Sequence, residues 1–176
     1  MAALEGQMNS EERNLIKQLI LQKKPKVVFE IGTWKGGGST LSIASGLFEN
    51  KSGVLYTCET EKAFFQQAVE SFNEYFQEYK PFVIFHNESS SIILKSLIEE
   101  NKIPDFVLLD GIAARQKEDI DDINNLEKYL SDGAIIAYHD SKIQLIVNDY
   151  FSTNKNWKKI HEVNSSTGFT VCEFKK

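Results

Sequence analysis

The sequence predicts an α/β fold: a mostly parallel sheet with helices on both faces. Three observations predict it. Five short apolar runs, rich in β-branched residues, alternate with stretches of helical periodicity along most of the 176 residues. The first run ends in a carboxylate and a glycine-rich turn, "VVFEIGTWKGGGST" at residues 27–40, the usual passage from a strand into a ligand-facing helix. The last two runs alternate apolar and polar residues and are separated only by "NSSTG", which predicts an antiparallel hairpin.

Taken in order, residues 9–22 carry Leu15, Ile16, Leu19 and Ile20 at helical spacing. Asn9 or Ser10 stands ready as N-cap, and Pro25 closes the helix. "KVVFEI" is the first strand, and "STLSIASGLF" resumes helical spacing with Ser39 or Thr40 placed to cap it. "GVLYTCE" is the second strand, and "EKAFFQQAVESFNEYFQEY" reads as one long amphipathic helix up to Pro81. Phe64, Phe65, Phe72, Tyr75 and Phe76 are expected to form its buried stripe. "FVIFHN", "DFVLLD" and "GAIIAYHD" are strands three to five, separated by helices over "SSIILKSLIEEN" and "QKEDIDDINNLEKYL". The acids of the second of these helices read as a solvated face. "IQLIVNDYFSTN" is a further helix, and "WKKIHEV" and "GFTVCEF" close a seven-stranded sheet. The expected layout is residues 1–24 as an N-terminal helical segment and 25–176 as the main body of one domain.

Composition narrows the function. At 41% hydrophobic and 26% charged residues with three prolines, this is an ordinary globular chain. A net charge of −5 supplies no basic field, so nucleic acid is not an expected partner. No apolar stretch is long enough to cross a bilayer, and the start "MAALEGQMNSEERNL" lacks the marks of a signal peptide. No membrane partner is expected, and the expected location is cytoplasmic. Cys58 and Cys172 lie in strand-like runs and read as small buried hydrophobes.

Glycine lets a backbone turn with positive φ and lets a ligand lie against the main chain. A phosphate-binding P-loop requires a Lys before the Ser, and here Gly36, Gly37 and Gly38 precede Ser39. A dinucleotide fingerprint requires a second glycine where Thr33 and Trp34 follow Gly32. Glu30, beside the loop, opposes a pyrophosphate. A ligand with positive charge and no phosphate fits better. S-adenosylmethionine has an ammonium, a sulfonium and a ribose; Glu30 suits the first, and Glu59, ending the second strand, can accept from ribose hydroxyls.

On these residues the chain resembles the class I S-adenosylmethionine-dependent methyltransferases, in the small O-methyltransferase-like branch with catechol-, macrocin- and cephalosporin-type enzymes. The carriers are "FEIGTWKGGGST", "CETE", "HNESS", "LLDG" and "LSDGAIIAYHD". The resemblance implies a Rossmann-like three-layer sandwich. It implies that Glu30, Gly32, Thr33, Trp34, Gly36 and Gly37 line the methionine side of the cofactor. Glu59 would hold the ribose, Asn87, Glu88 and Ser89 would flank the adenine, and Asp110 would sit at the edge of the reaction centre. It also implies a candidate divalent-cation site, Mg or Mn, on Asp110, His139 and Asp140. The alternative for these three is metal-free catalysis with His139 as general base. Where relatives carry another Asp or His after "DG", this chain has Ile112 and two alanines.

The expected activity is O-methylation of a small molecule or glycoside. Two rival readings are an NAD(P)-dependent oxidoreductase on the same topology and a non-catalytic scaffold that keeps the fold. The acceptor pocket is expected between the N-terminal helix, residues 111–117, residues 141–144 and the "NSSTG" turn. An open crevice in a short chain also leaves room for a second copy, a homo-oligomer.

Overall fold

A computed structural model describes residues 8–111 and 113–176. In chain order the elements are α1 (Ser10–Lys23), β1 (Val27–Ile31), α2 (Ser39–Asn50), β2 (Val54–Cys58), α3 (Lys62–Glu74), β3 (Val83–His86), α4 (Ser90–Glu99), β4 (Phe106–Leu109), α5 (Gln116–Glu127), β5 (Ile135–His139), α6 (Leu145–Thr153), β6 (Trp157–Val163) and β7 (Phe169–Phe174). The seven strands lie in the order β3-β2-β1-β4-β5-β7-β6. β1 to β5 pair in parallel; β7 runs antiparallel to both β5 and β6. The predicted seven-stranded, mostly parallel sheet with a C-terminal antiparallel hairpin is the one observed.

Because strand side chains alternate in direction, the sheet has two apolar faces, and helices cover both. Val28, Leu108, Ile135 and Val171 pack on one face against Ile16 and Ile20 of α1, Ile43 and Leu47 of α2, and Phe72 of α3. Phe29, Leu109, Ile136 and Cys172 pack on the other against Ile93 and Leu97 of α4, Leu126 of α5 and Phe151 of α6. These are the three layers of a Rossmann-like sandwich. The N-terminal helix is part of the first layer, seated on α2 at Gly46, where a Cβ would come within 2.8 Å of Ile20 Cγ2. Residues 1–7 of the expected N-terminal segment lie outside the described residues. No helix among the described residues is long and apolar enough to cross a membrane.

Four local expectations are corrected. α3 stops at Glu74 instead of running to Pro81. A turn from Phe76 to Tyr79, closed by the Tyr79 N–H on the Phe76 carbonyl at 3.0 Å, lets Phe76 fold back edge-on to Phe72 and Tyr79 edge-on to Phe48. Of the expected buried stripe only Phe72 is buried; Tyr75 is 62% exposed. The N-cap of α2 is Gly38, with no side-chain bond, because Thr40 is engaged elsewhere. The acids of α5 are not all solvated: Asp119 and Asp122 face inward, 0% and 4% exposed.

Candidate functional site

The chain runs outward from β1 to β3 and then returns to place β4 on the other side of β1. Strand order therefore reverses between β1 and β4, and a crevice opens at their carboxyl ends. A cleft of about 590 Å³ lies there, lined among others by Gly32, Thr33, Trp34, Gly38, Ser39, Glu59, Asp110 and Asp140. Its size suits a nucleoside-sized ligand.

The glycine turn is locked at its root. Gly32 has φ +96°, and a Cβ there would fall 2.3 Å from the Asp110 carbonyl oxygen. The N–H groups of Gly32 and Thr33 both donate to the Cys58 carbonyl, at 3.0 and 3.2 Å. Trp34 follows with φ +47°, and its N–H donates to Glu59 Oε2 at 2.9 Å. Glu59 Oε1 accepts from the Glu61 N–H at 2.9 Å. Both oxygens of Glu59 are thus oriented by backbone donors, and each keeps a lone pair for a ligand in the cleft.

Glu30 behaves differently from the expectation. It is fully buried and does not line the cleft. Its Oε2 accepts from Thr57 Oγ1 at 2.6 Å and from Thr40 Oγ1 at 2.7 Å, and Thr33 Oγ1 bonds to Thr57 Oγ1 in turn. Glu30 thus pins the loop, β2 and α2 together from beneath. Burial pushes its carboxyl up to about 7, against the pull of the Thr57, Ser39 and Thr40 hydroxyls. It therefore lies beneath the loop, away from the cleft surface.

Gly36 and Gly37 are also buried and away from the cleft surface. A Cβ on Gly36 would meet Ala68 Cβ at 3.2 Å, so this glycine seats the loop on α3. Gly38 and Ser39 line the cleft in place of Gly36 and Gly37. At the far end Asn87, Glu88 and Ser89 are not cleft-lining residues either. The Asn87 side-chain amide donates to the Glu59 carbonyl at 2.7 Å, and Glu88 Oε1 accepts from the Ser89 N–H at 2.9 Å. Ser90 and Arg115 line that end instead, with Arg115 Nη2 donating to Ser90 Oγ at 2.9 Å.

The acidic strand ends do converge. Asp110 and Asp140 line the cleft; His139, 3% exposed, lies behind them. Its Nδ1 stands 3.0 Å from Asp110 Oδ1 and 3.2 Å from Asp140 Oδ1, between the two carboxylates and aligned for a hydrogen bond to neither. Asp140 reaches this position because the chain turns left-handed there, with φ +58°. On the far side of the ring, Nε2 lies 3.5 Å from Glu12 Oε2 of α1. Burial alone would lower the imidazole's pKa; contact with Asp110 and the charges of Asp110, Asp140 and Glu12 outweigh it, so the net shift is upward. The Asp110 carboxyl is raised by burial, against the pull of His139. His139 thus lies behind the two carboxylates and does not itself line the cleft.

No group of three or more His, Cys, Asp or Glu side chains among the described residues is arranged to hold a metal ion. His139 Nδ1 faces one oxygen each of Asp110 and Asp140 at 3.0 and 3.2 Å, the three residues on which the resemblance implies a cation. Ile112, noted in the sequence as a departure, lies outside the described residues. The "NSSTG" turn lies against the segment after β5, with the Thr167 carbonyl accepting from the Lys142 N–H at 2.8 Å, and does not reach the cleft.

Sequence reasoning missed Glu12, Met8, Phe64, Ser90 and Arg115. Glu12 has a local signal, but a misleading one. Asn9 Oδ1 accepts from the Glu12 N–H and Glu12 Oε2 accepts from the Asn9 N–H, both at 3.0 Å. Such a capping box accounts for the carboxylate without any site.

A family model described as a methyltransferase domain matches residues 29–141, nearly two thirds of the chain. No curated protein matches the sequence. Among solved structures, the chain is similar to an O-methyltransferase of Streptomyces achromogenes involved in tomaymycin synthesis, in complex with S-adenosylmethionine. The TM-score is 0.81 at 18% identity, covering 100% of this chain and 84% of that one. It is also similar to an O-methyltransferase of Bacillus cereus in complex with S-adenosylhomocysteine, with TM-score 0.76 at 17% identity over 99% of this chain and 86% of the other. A methyltransferase of Podospora anserina bound to S-adenosylhomocysteine gives 0.76 at 16% identity over 96% and 81%. At these identities the likeness is one of fold.

Proposed function

The chain belongs to the methyltransferase-domain family, and from that premise we propose that it transfers the methyl group of S-adenosylmethionine to a hydroxyl oxygen of a small acceptor. The observation that carries this reading is the charge of the cleft. Among the described residues, Glu59, Glu61, Asp110 and Asp140 line it against the single cation Arg115. Such a cleft favours a cationic ligand and opposes a diphosphate. In this reading the electrostatic selection is exerted by carboxylates other than Glu30.

The bound cofactor supplies an already activated methyl group on a sulfonium. The residues present suit it: the bare backbone of Gly32 and Gly38, the oriented carboxylate of Glu59, and Trp34 and Phe64 as an edge-to-face pair with centroids 5.9 Å apart. The chain's own part is to position the acceptor and take its proton. Asp110 and Asp140 are the groups that reach the cleft for this. As the oxygen–carbon bond forms and the sulfur–carbon bond breaks, the hydroxyl proton passes to one of these carboxylates. His139, between them from behind, fixes their orientation.

Titration calorimetry tests the reading: S-adenosylhomocysteine is expected to bind and NADH is not. Binding of NADH alone would install the oxidoreductase reading in its place. Glu59→Gln puts an amide N–H₂ against one of two backbone N–H donors and removes a charge. A lost hydrogen bond to a charged group costs about 1.5–3 kcal/mol, so S-adenosylhomocysteine affinity is expected to fall by roughly tenfold or more. Unchanged affinity would place the nucleoside elsewhere.

A further inference from the structure

The segment that follows Asp140 is turned inside out. Two of its polar side chains are committed inward: Ser141 is 5% and Gln144 1% exposed, and Gln144 Nε2 donates to the His139 carbonyl at 3.0 Å. The Lys142 amine is tied to the Ser165 carbonyl. Apart from Lys142, what the segment shows to solvent is aliphatic: Ile143 at 51%, Leu145 at 68% and Ile146 at 44%. Exposed apolar side chains beside buried polar ones mark a surface that gains by being covered. This surface continues the cleft, because Ile143 lines it together with Asp110, Asp140 and the thioether of Met8. The backbone there is already engaged, with the Ile146 N–H donating to Gln116 Oε1 at 2.8 Å. Nothing in residues 141–146 offers the fan of free donors and acceptors that a sugar needs, and no aromatic side chain lies there for a flat ring to stack on.

We propose that the acceptor carries its hydroxyl on an aliphatic body, which lies over Ile143 and onto Leu145 and Ile146 while the hydroxyl reaches Asp110 and Asp140. The inference rests on the methyltransferase reading and narrows the expected "small molecule or glycoside" to the first, with an aliphatic body. The apolar shelf binds by area, so affinity grows with each methylene that reaches it.

The test uses the full chain loaded with S-adenosylhomocysteine and labelled at Ile and Leu methyls, titrated by NMR with 1-butanol, 1-hexanol, 1-octanol and methyl α-glucoside. The Ile143, Leu145 and Ile146 methyls are expected to shift with the alkanols. Affinity should rise by about two- to fourfold per added methylene, the upper figure being full burial of each. The glucoside should move none of them. Leu145→Ser with Ile146→Ser is expected to flatten the chain-length dependence and leave S-adenosylhomocysteine affinity unchanged. Equal affinity across the alkanols, or tighter binding of the glucoside, would overturn the inference. So would a dimer in sedimentation equilibrium that the double variant dissociates, because the shelf would then belong to a second copy. If S-adenosylhomocysteine fails to bind, the methyltransferase reading falls; if it binds and the alkanols do not, only the aliphatic acceptor falls.

Discussion

Gly32→Ala is expected to give a protein that is markedly less stable and binds S-adenosylhomocysteine at least 100-fold more weakly, if it folds. Two causes act together. The residue holds φ +96°, a conformation that costs an L side chain about 1 kcal/mol or more. A Cβ would also lie 2.3 Å from the Asp110 carbonyl oxygen and 2.8 Å from its carbon. That carbonyl belongs to the loop leaving β4, and the Asp110 N–H donates to the Ile31 carbonyl at 2.9 Å. Relief therefore has to part the ends of β1 and β4, the two strands that form the cleft floor. Gly133→Ala is the control, with φ +87° but nothing within 4 Å of its Cβ. It should lower the melting temperature by a few degrees and leave affinity untouched. Affinity for Gly32→Ala within threefold of the parent would remove the glycine turn from the binding site.

The second large effect is on stability against pH. Burial holds Glu30 and Asp119 at about 7, from ordinary values of 4.5 and 3.8. Asp119 is fully buried with neither oxygen bonded. A carboxyl whose folded pKa is raised keeps its proton in the native state while the unfolded chain loses it. Its contribution is full below about pH 4, declines as pH rises and is gone above about pH 7. Asp110 and His139, both raised, act with the same sign. The two buried carboxyls carry roughly 3 kcal/mol each. The melting temperature is therefore expected to fall by on the order of 10 °C between pH 5 and pH 8. Glu30→Gln keeps an oxygen for the threonine hydroxyls, and Asp119→Asn removes an unpaired charge. Together they should flatten the profile by raising stability at pH 8. A parent profile that is flat, or rises with pH, would contradict the burial of these groups.

What was legible in the sequence follows from how far each signal reaches. The strand and helix alternation, the glycine turn and the hairpin are local patterns, and each appears where its residues predict. Asp110 and Asp140 were legible because strand ends in a parallel sheet point into one crevice. The direction of a side chain within that crevice was not. Glu30 lies inside β1 and Glu59 just past the end of β2; the first is buried under the loop against α2 and the second stays on the cleft surface. His139 was read as the reactive group because imidazoles titrate near neutrality, yet the left-handed turn at Asp140 brings the carboxylates forward and leaves the ring behind. Glu12 depends on α1 docking across α2, a contact no local window contains. Asp119 and Asp122 broke the rule that a run of acids is solvated, because Ser90 Oγ donates to Asp122 Oδ2 at 2.7 Å across α4 and α5 and only the assembled face shows it.

β6 touches the sheet solely through β7, the strand that comes after it. The edge of β5 thus stays unpaired until residues 169–174 are in place, and before then β6 is held only by side-chain contacts such as Trp157 on Phe151 and Glu127. Pairing of this stretch is what sets Phe169 beside His139 and closes the sheet next to the cleft-forming half.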